Sequence, residues 1–222
     1  MDAEKREYLE GQAKEIRKLI VKTIGTAGQG HIGGSLSIAD VLSVLYFDEM
    51  NVDPKNPKME GRDRLVLSKG HAGPALYATL ALKGFFPLDW LNTLNKPYTD
   101  LPSHCDMNKT PGVDMTAGSL GQGISCAVGI AKAAKIKGGN EYIYAIIGDG
   151  ESQEGSVWEA SMAAAHFNLD RFIGFLDYNQ LQIDGRVEDV MSLIDPIEKW
   201  KAFGFNTFSV DGHKVEEISD AI

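Results

Sequence analysis

The sequence predicts an α/β fold built in three layers, a mainly parallel sheet flanked by helices. Three observations carry that prediction. Short β-rich runs alternate with stretches of helical periodicity along the whole chain. The second half reads strand, helix, strand, helix, strand at a spacing that suits parallel strands and crossover helices. Glycine-rich turns follow the β-rich runs directly. With 222 residues, 43% of them apolar and 24% charged, the chain has the composition of one large globular domain spanning residues 1–222.

The elements follow in order. From Tyr8 to Ile24 the apolar positions Leu9, Ala13, Ile16, Ile20 and Ile24 make one helix face, expected to end before Gly25. Ser37 is placed to cap a second helix, with Asp40 at its third position and IADVLSVLYF as its body. A proline-rich turn leads to a short strand at LVLS. A helix from about Pro74 to Lys83 is stopped by Gly84, and Pro87 opens a short helix to about Leu94. Residues 97–119 show no sustained period, and a loop of that length in a compact domain is usually functional. A small-residue helix runs from Gly121 to Lys137. Then come a strand at 142–148, a helix at 152–166, a strand at 172–178, a helical stretch at 193–203 broken by Asp195-Pro196, and a strand at 205–210. Asp211 is placed to cap the last helix, GHKVEEISDAI. No further strand follows that helix, so the expectation is a domain lacking its C-terminal end.

Charge and cysteine content exclude several function classes. Twenty-two basic against 31 acidic residues leave a net charge of −9, which argues against a nucleic-acid partner. Small phosphorylated ligands remain compatible, because glycine amides, a helix N-terminus and a metal ion can hold them. Two cysteines make neither a disulfide scaffold nor a cysteine-built zinc site. No run of 18 apolar residues and no signal-peptide pattern is present, so no membrane association and a cytoplasmic address are expected.

The sharpest chemical signal is AIIGDGESQEG followed by FLDYNQLQIDG. Gly148 and Gly150 sit between a β run and a helix, where the missing Cβ lets backbone amides approach a diphosphate. Asp149 brings a carboxylate to the same strand end, suited to Mg²⁺ beside phosphate oxygens. Asn179 closes the next strand 30 residues later, and parallel neighbours bring the two ends together. A main-chain carbonyl from the turn 179–181, two diphosphate oxygens and a water would complete an octahedral set. Neither GxGxxG nor GxxxxGK[ST] occurs, which excludes the common dinucleotide and P-loop fingerprints. His31, His71 and His104 each lie in a glycine- or proline-punctuated loop. Such rings can donate to phosphate or sugar oxygens and move protons near neutral pH, and equally can be structural or exposed. Glu154 and Glu159, five apart, are displaced by about 140° on a helix and do not form one face.

These motifs resemble thiamine diphosphate enzymes, and more narrowly the diphosphate-binding region of transketolase. GQGHIGGSLS (28–37), DRLVLSKGHAGPALY (63–77), TPGVDMTAGSLGQGI (110–124), GDGESQEGSVWEA (148–160) and NQLQIDG (179–185) match in the expected order over nearly the whole chain. The resemblance implies thiamine diphosphate as cofactor and Mg²⁺ as metal, with Ca²⁺ or Mn²⁺ as substitutes. Asp149, Asn179 and the carbonyl of Leu181 would ligate the metal, and Gly148 and Gly150 would meet the diphosphate. His71 would lie by the cofactor phosphates, with His31 and His104 at the substrate end. Gly118 and Leu120 would line the cofactor cleft, and Glu154 and Glu159 would couple paired subunits.

The implied reaction moves a two-carbon ketol unit from a ketose phosphate to an aldose phosphate. In the resembled family a second, pyrimidine-binding domain completes the site. The expectation is therefore the N-terminal component of a split transketolase, inactive alone. Its partner would be a C-terminal transketolase subunit. It would also self-associate as a dimer, through the helices at 121–137 and 152–166 if those faces are not core. The sequence departs from the family where Gly-His-Pro is usual, reading Gly30-His31-Ile32 and Ser103-His104-Cys105. The alternatives at this point are a deoxyxylulose-phosphate synthase-like component and a catalytically silent structural or regulatory subunit.

Overall fold

The computed structural model describes residues 1–222. Three parallel strands, β1 (Arg64–Leu67), β2 (Ile143–Gly148) and β3 (Phe172–Asp177), lie side by side in that order. Their side chains divide by alternation. Leu65, Leu67, Tyr144 and Ile146 join one core, while Val66, Ile143, Ala145 and Ile147 join the other.

The first core is closed by α1 (Ala3–Ala27), α3 (Ala39–Val44), α4 (Gly73–Lys83) and α9 (Val215–Ala221), with the short α2 (Ile32–Leu36) beside them. The second is closed by α5 (Gln122–Lys137), α6 (Gly155–His166) and Trp200 of α8 (Pro196–Ala202). The three-layer α/β architecture is the one expected. The buried faces of α5 and α6, Ile124, Ala127, Val128 and Ala131 against Val157, Ala160 and Ala164, pack within this chain. A small hairpin of β4 (Leu181–Gln182) and β5 (Gly185–Arg186) follows β3 and leads to α7 (Val187–Met191).

Several local readings are corrected. Helix α1 continues through Gly25 and stops at Gly28, whose left-handed φ of 78° lets its N–H return to the carbonyl of Ile24. One helical glycine costs about 1 kcal/mol, too little to end a helix anchored by a continuous apolar face. Ser37 caps nothing, because its hydroxyl is taken by the Gly34 carbonyl and the Asp177 carboxylate. The short segment after Pro87 is a 3₁₀ turn, Leu88–Thr93. Residues 205–210 alternate like a strand but pair with no neighbour. They face the outer edge of β3 across a cavity of about 1110 Å³ lined by Phe175, Phe205 and Phe208, so no ladder forms. Asp211 also falls short of capping. It accepts from the His213 N–H in a local turn, and α9 starts later, at Val215.

Candidate functional site

The site gathers at the C-terminal ends of the three strands, where parallel sheets place their ligands. The β2–β3 register sets Gly148 opposite Asp177, and the Asp149 N–H donates to the Asp177 carbonyl at 3.2 Å. Asp149 and the 179–181 turn are thereby brought together. The Asp149 carboxylate accepts from the Gly150 N–H at 2.8 Å and the Gln180 N–H at 2.5 Å. Asn179 Oδ1 accepts from the Leu181 N–H at 2.9 Å. Gln180 holds a left-handed φ of 65°, which folds the turn back on Asp149. Burial pushes the Asp149 carboxyl above its ordinary value, and the Gly150 and Gln180 amides oppose that shift.

The donor chemistry fits a hard cation shared with a diphosphate. The Asp149 carboxylate and the 179–181 turn, with the Asn179 amide oxygen and its main-chain carbonyls, offer oxygen donors only. No group of three His, Cys, Asp or Glu side chains is arranged to hold a bare metal.

The three histidines converge as a second subsite. The His31 ring lies 5.2 Å from His71 and 5.9 Å from His104, centroid to centroid. His31, His71 and Ser103 line a cavity of about 340 Å³ together with Gln29 and Asn95. Burial, helped by the Lys69 ammonium and the other two rings, lowers His71 from 6.5 to about 4. Burial and His31 lower His104 as well. His71 is thus neutral near pH 7, able to donate from one ring nitrogen and accept at the other.

Glycines set how closely these segments approach. A Cβ on Gly70 would collide with the Ala117 carbonyl, so the turn bearing His71 rests on the backbone of loop 117–120. Gly118 in turn lies against His104, and Leu120 is half-buried beside it in that loop. Glu154, just before α6, and Glu159, on it, are exposed and lie outside both subsites.

Sequence reasoning missed the buried polar frame. Glu151, 1% exposed, accepts from the Ser68 hydroxyl, the Gly121 N–H and the Gly148 N–H. It joins the ends of β1 and β2 to the start of α5. Burial pushes its carboxyl up, against those hydrogen bonds. Lys69, also 1% exposed, donates to Asp177 and to the Gly34 carbonyl, and so bridges the cation rim and the histidine loops. The available signal was a charged residue closing each β-rich run, in LVLSK and FLD.

Residues 10–222 match the family described as "Transketolase, thiamine diphosphate binding domain". The chain belongs to the transketolase family. It is 57% identical over 215 residues to the 6-deoxy-6-sulfo-D-fructose transketolase subunit SqwG of Clostridium sp. (strain MSTE9), covering 96% of this chain and 78% of that one. It is 43% identical over 212 residues to an apulose-4-phosphate transketolase subunit of Phocaeicola vulgatus, covering 96% and 75%. The transketolase crystal structure from Campylobacter jejuni superposes with a TM-score of 0.92 at 36% identity, covering all of this chain and 35% of that one. The chain thus spans about a third of the length of such a transketolase, and most of the length of the two subunits. The transketolase fold and its thiamine diphosphate-binding domain accord with the architecture and with the strand-end rim. No helix is long and apolar enough to cross a membrane.

Proposed function

We propose that residues 1–222 form the diphosphate-side component of a two-subunit transketolase. The single observation that carries this reading is the convergence of Asp149 with the Asn179–Leu181 turn at adjacent parallel strand ends. In this reading Asp149, Asn179 and the Leu181 carbonyl would hold Mg²⁺, and Gly148 and Gly150 would leave room for the diphosphate of thiamine diphosphate. Bound thiamine diphosphate supplies the nucleophilic carbon and the electron sink for cleaving a ketose next to its carbonyl. His71, kept neutral, donates to the cofactor's phosphate side. His31 and His104 face the substrate hydroxyls, and one of them takes the hydroxyl proton released on cleavage. Gly118 and Leu120 line the cofactor cleft.

A pyrimidine-binding partner subunit covers the cleft, and a two-fold assembly through the region of Glu154 and Glu159 pairs the sites. Two observations support a partner. Similar proteins are named as transketolase subunits, and whole transketolases are about three times as long. The substrates are a ketose donor bearing a terminal anion and an aldose phosphate acceptor. The 57% identity to a sulfofructose transketolase subunit makes 6-deoxy-6-sulfofructose a donor to test beside the ketose phosphates.

The experiment combines this chain with a pyrimidine-domain transketolase subunit from the same organism, thiamine diphosphate and Mg²⁺. Ketol transfer is assayed from xylulose 5-phosphate and from 6-deoxy-6-sulfofructose. Transfer that requires both chains is expected. No transfer from either donor, with both chains folded and mixed, overturns the reading.

A further inference from the structure

Asp177 closes β3 and stands between the two subsites. Its Oδ2 collects three donors: Lys69 Nζ at 2.5 Å, Ser37 Oγ at 2.6 Å and Asn179 Nδ2 at 2.9 Å. The Lys69 side chain is 2% exposed and that of Asp177 12%, so this is an ion pair set inside the protein and not a surface contact. Asp177 is neither a ligand of the proposed cation nor a contact of the diphosphate.

An amide side chain is nearly symmetric in shape, and a half-turn exchanges its oxygen and its NH₂. At Asn179 only one of the two orientations can ligate a cation. A carboxylate accepts and never donates, so the end of Asn179 that meets Asp177 must be the NH₂. The amide oxygen is then directed to the opposite side, where it accepts the Leu181 N–H and keeps a second lone pair for the proposed cation. The reversed amide would set oxygen against a carboxylate and present NH₂ to the cation.

Lys69 completes the device. Paired with the Lys69 ammonium, Asp177 is neutralised as a competitor for the cation, and Asp149 remains the one carboxylate free to ligate. The same ammonium donates to the Gly34 carbonyl at 2.7 Å, on the segment that follows His31.

We propose that Asp177, held by Lys69 and Ser37, is the positioning residue that locks the Asn179 amide with its oxygen toward the cation. This rests on the cation site of the proposed function. Partners of metal ligands commonly change metal affinity by about 10–100-fold when removed, which sets the expected scale.

The test is calorimetric titration with Mg²⁺, at saturating thiamine diphosphate, of this chain in complex with its pyrimidine-binding partner subunit, each variant being made in this chain. Asp177→Ala is expected to weaken Mg²⁺ binding by about 10–100-fold. Asn179→Ala is expected to weaken it at least as much, and the Asp177→Ala/Asn179→Ala double variant no further than Asn179→Ala alone. A merely structural Asp177 would instead add its own factor in the double variant. Because Asp177→Ala strands a buried ammonium, the paired variant Lys69→Met/Asp177→Leu removes both charges together. It should melt near the wild-type temperature and still lose the same factor in Mg²⁺ affinity. Affinity within twofold of wild type in the paired variant, or fully additive losses in the double variant, overturns the inference alone. A wild-type complex that takes up no Mg²⁺ with thiamine diphosphate overturns both the inference and the reading beneath it.

Discussion

Removing the carboxylate of Glu151 should loosen the whole rim while leaving every predicted ligand in place. The side chain is 1% exposed and accepts from the Gly121 N–H at 2.9 Å and the Gly148 N–H at 3.0 Å, besides the Ser68 hydroxyl. In Glu151→Ala both N–H groups stay buried and lose their acceptor, at about 1–3 kcal/mol each. The Ser68 hydroxyl can rotate, and it continues to accept the Ile124 N–H. Part of the loss is returned because a desolvated carboxylate has been removed. Two unsatisfied donors span about 2–6 kcal/mol, and the returned desolvation brings the net expectation to about 3 kcal/mol. For a chain of this length that lowers Tm by about 6–12 °C. Glu151→Gln keeps one acceptor oxygen but turns an NH₂ toward a backbone N–H, so it should lose about 1–2 kcal/mol. Differential scanning calorimetry of the three proteins should rank them wild type, Gln, Ala. An alanine variant as stable as wild type would show that the strand ends and α5 are not joined through this group, and the reasoning would fail.

Three further outcomes follow from the same geometry. Gly70→Ala forces a Cβ against the Ala117 carbonyl, backbone on backbone, and should cost about 1–3 kcal/mol and weaken thiamine diphosphate binding; a melt and a cofactor titration indistinguishable from wild type would refute the close approach. His71, depressed from 6.5 to about 4, binds its proton less tightly folded than unfolded, so stability should fall as pH drops from 6.5 toward 4. Imidazole NMR should find it titrating below 5, a value above 6 would contradict the burial argument, and His71→Asn should flatten the acid limb of urea melts. Cys105 is 1% exposed with its thiol pushed up to about 12 by burial, whereas Cys126 is half-buried. A thiol reagent should therefore titrate one group in the native protein and two after denaturation, and two fast thiols in the native state would overturn the assignment.

Much of the fold was legible because it is written in side-chain periodicity. LVLS, YIYAIIG and FIGFLDY became strands, since each carries an unbroken apolar run flanked by turn residues. FNTFSV carries a comparable pattern and did not. Alternation says which side chains want burial, and a strand also needs a neighbour to complete its ladder. Gly25 and Ser37 failed as punctuation for a related reason. The first is overridden by the buried face of α1, and the second has its hydroxyl engaged by a residue 140 positions away. The candidate site divides in the same manner. Asp149, Asn179 and the three histidines were readable as short motifs. Lys69, Asp177 and Glu151 act through contacts that exist only once the strands are side by side, and no local spacing encodes those.

The clustering of His31, His71 and His104 changes how protons are counted in the site. Rings 5.2 and 5.9 Å apart share one electrostatic environment, and a proton on one raises the cost of a proton on the next. The titration of His71 then depends on the charge of its neighbours as well as on its own burial. Removing His31 would lift the proton affinity of both remaining rings, because its charge opposes each of them. The acid limb of such a variant should move as a whole toward higher pH.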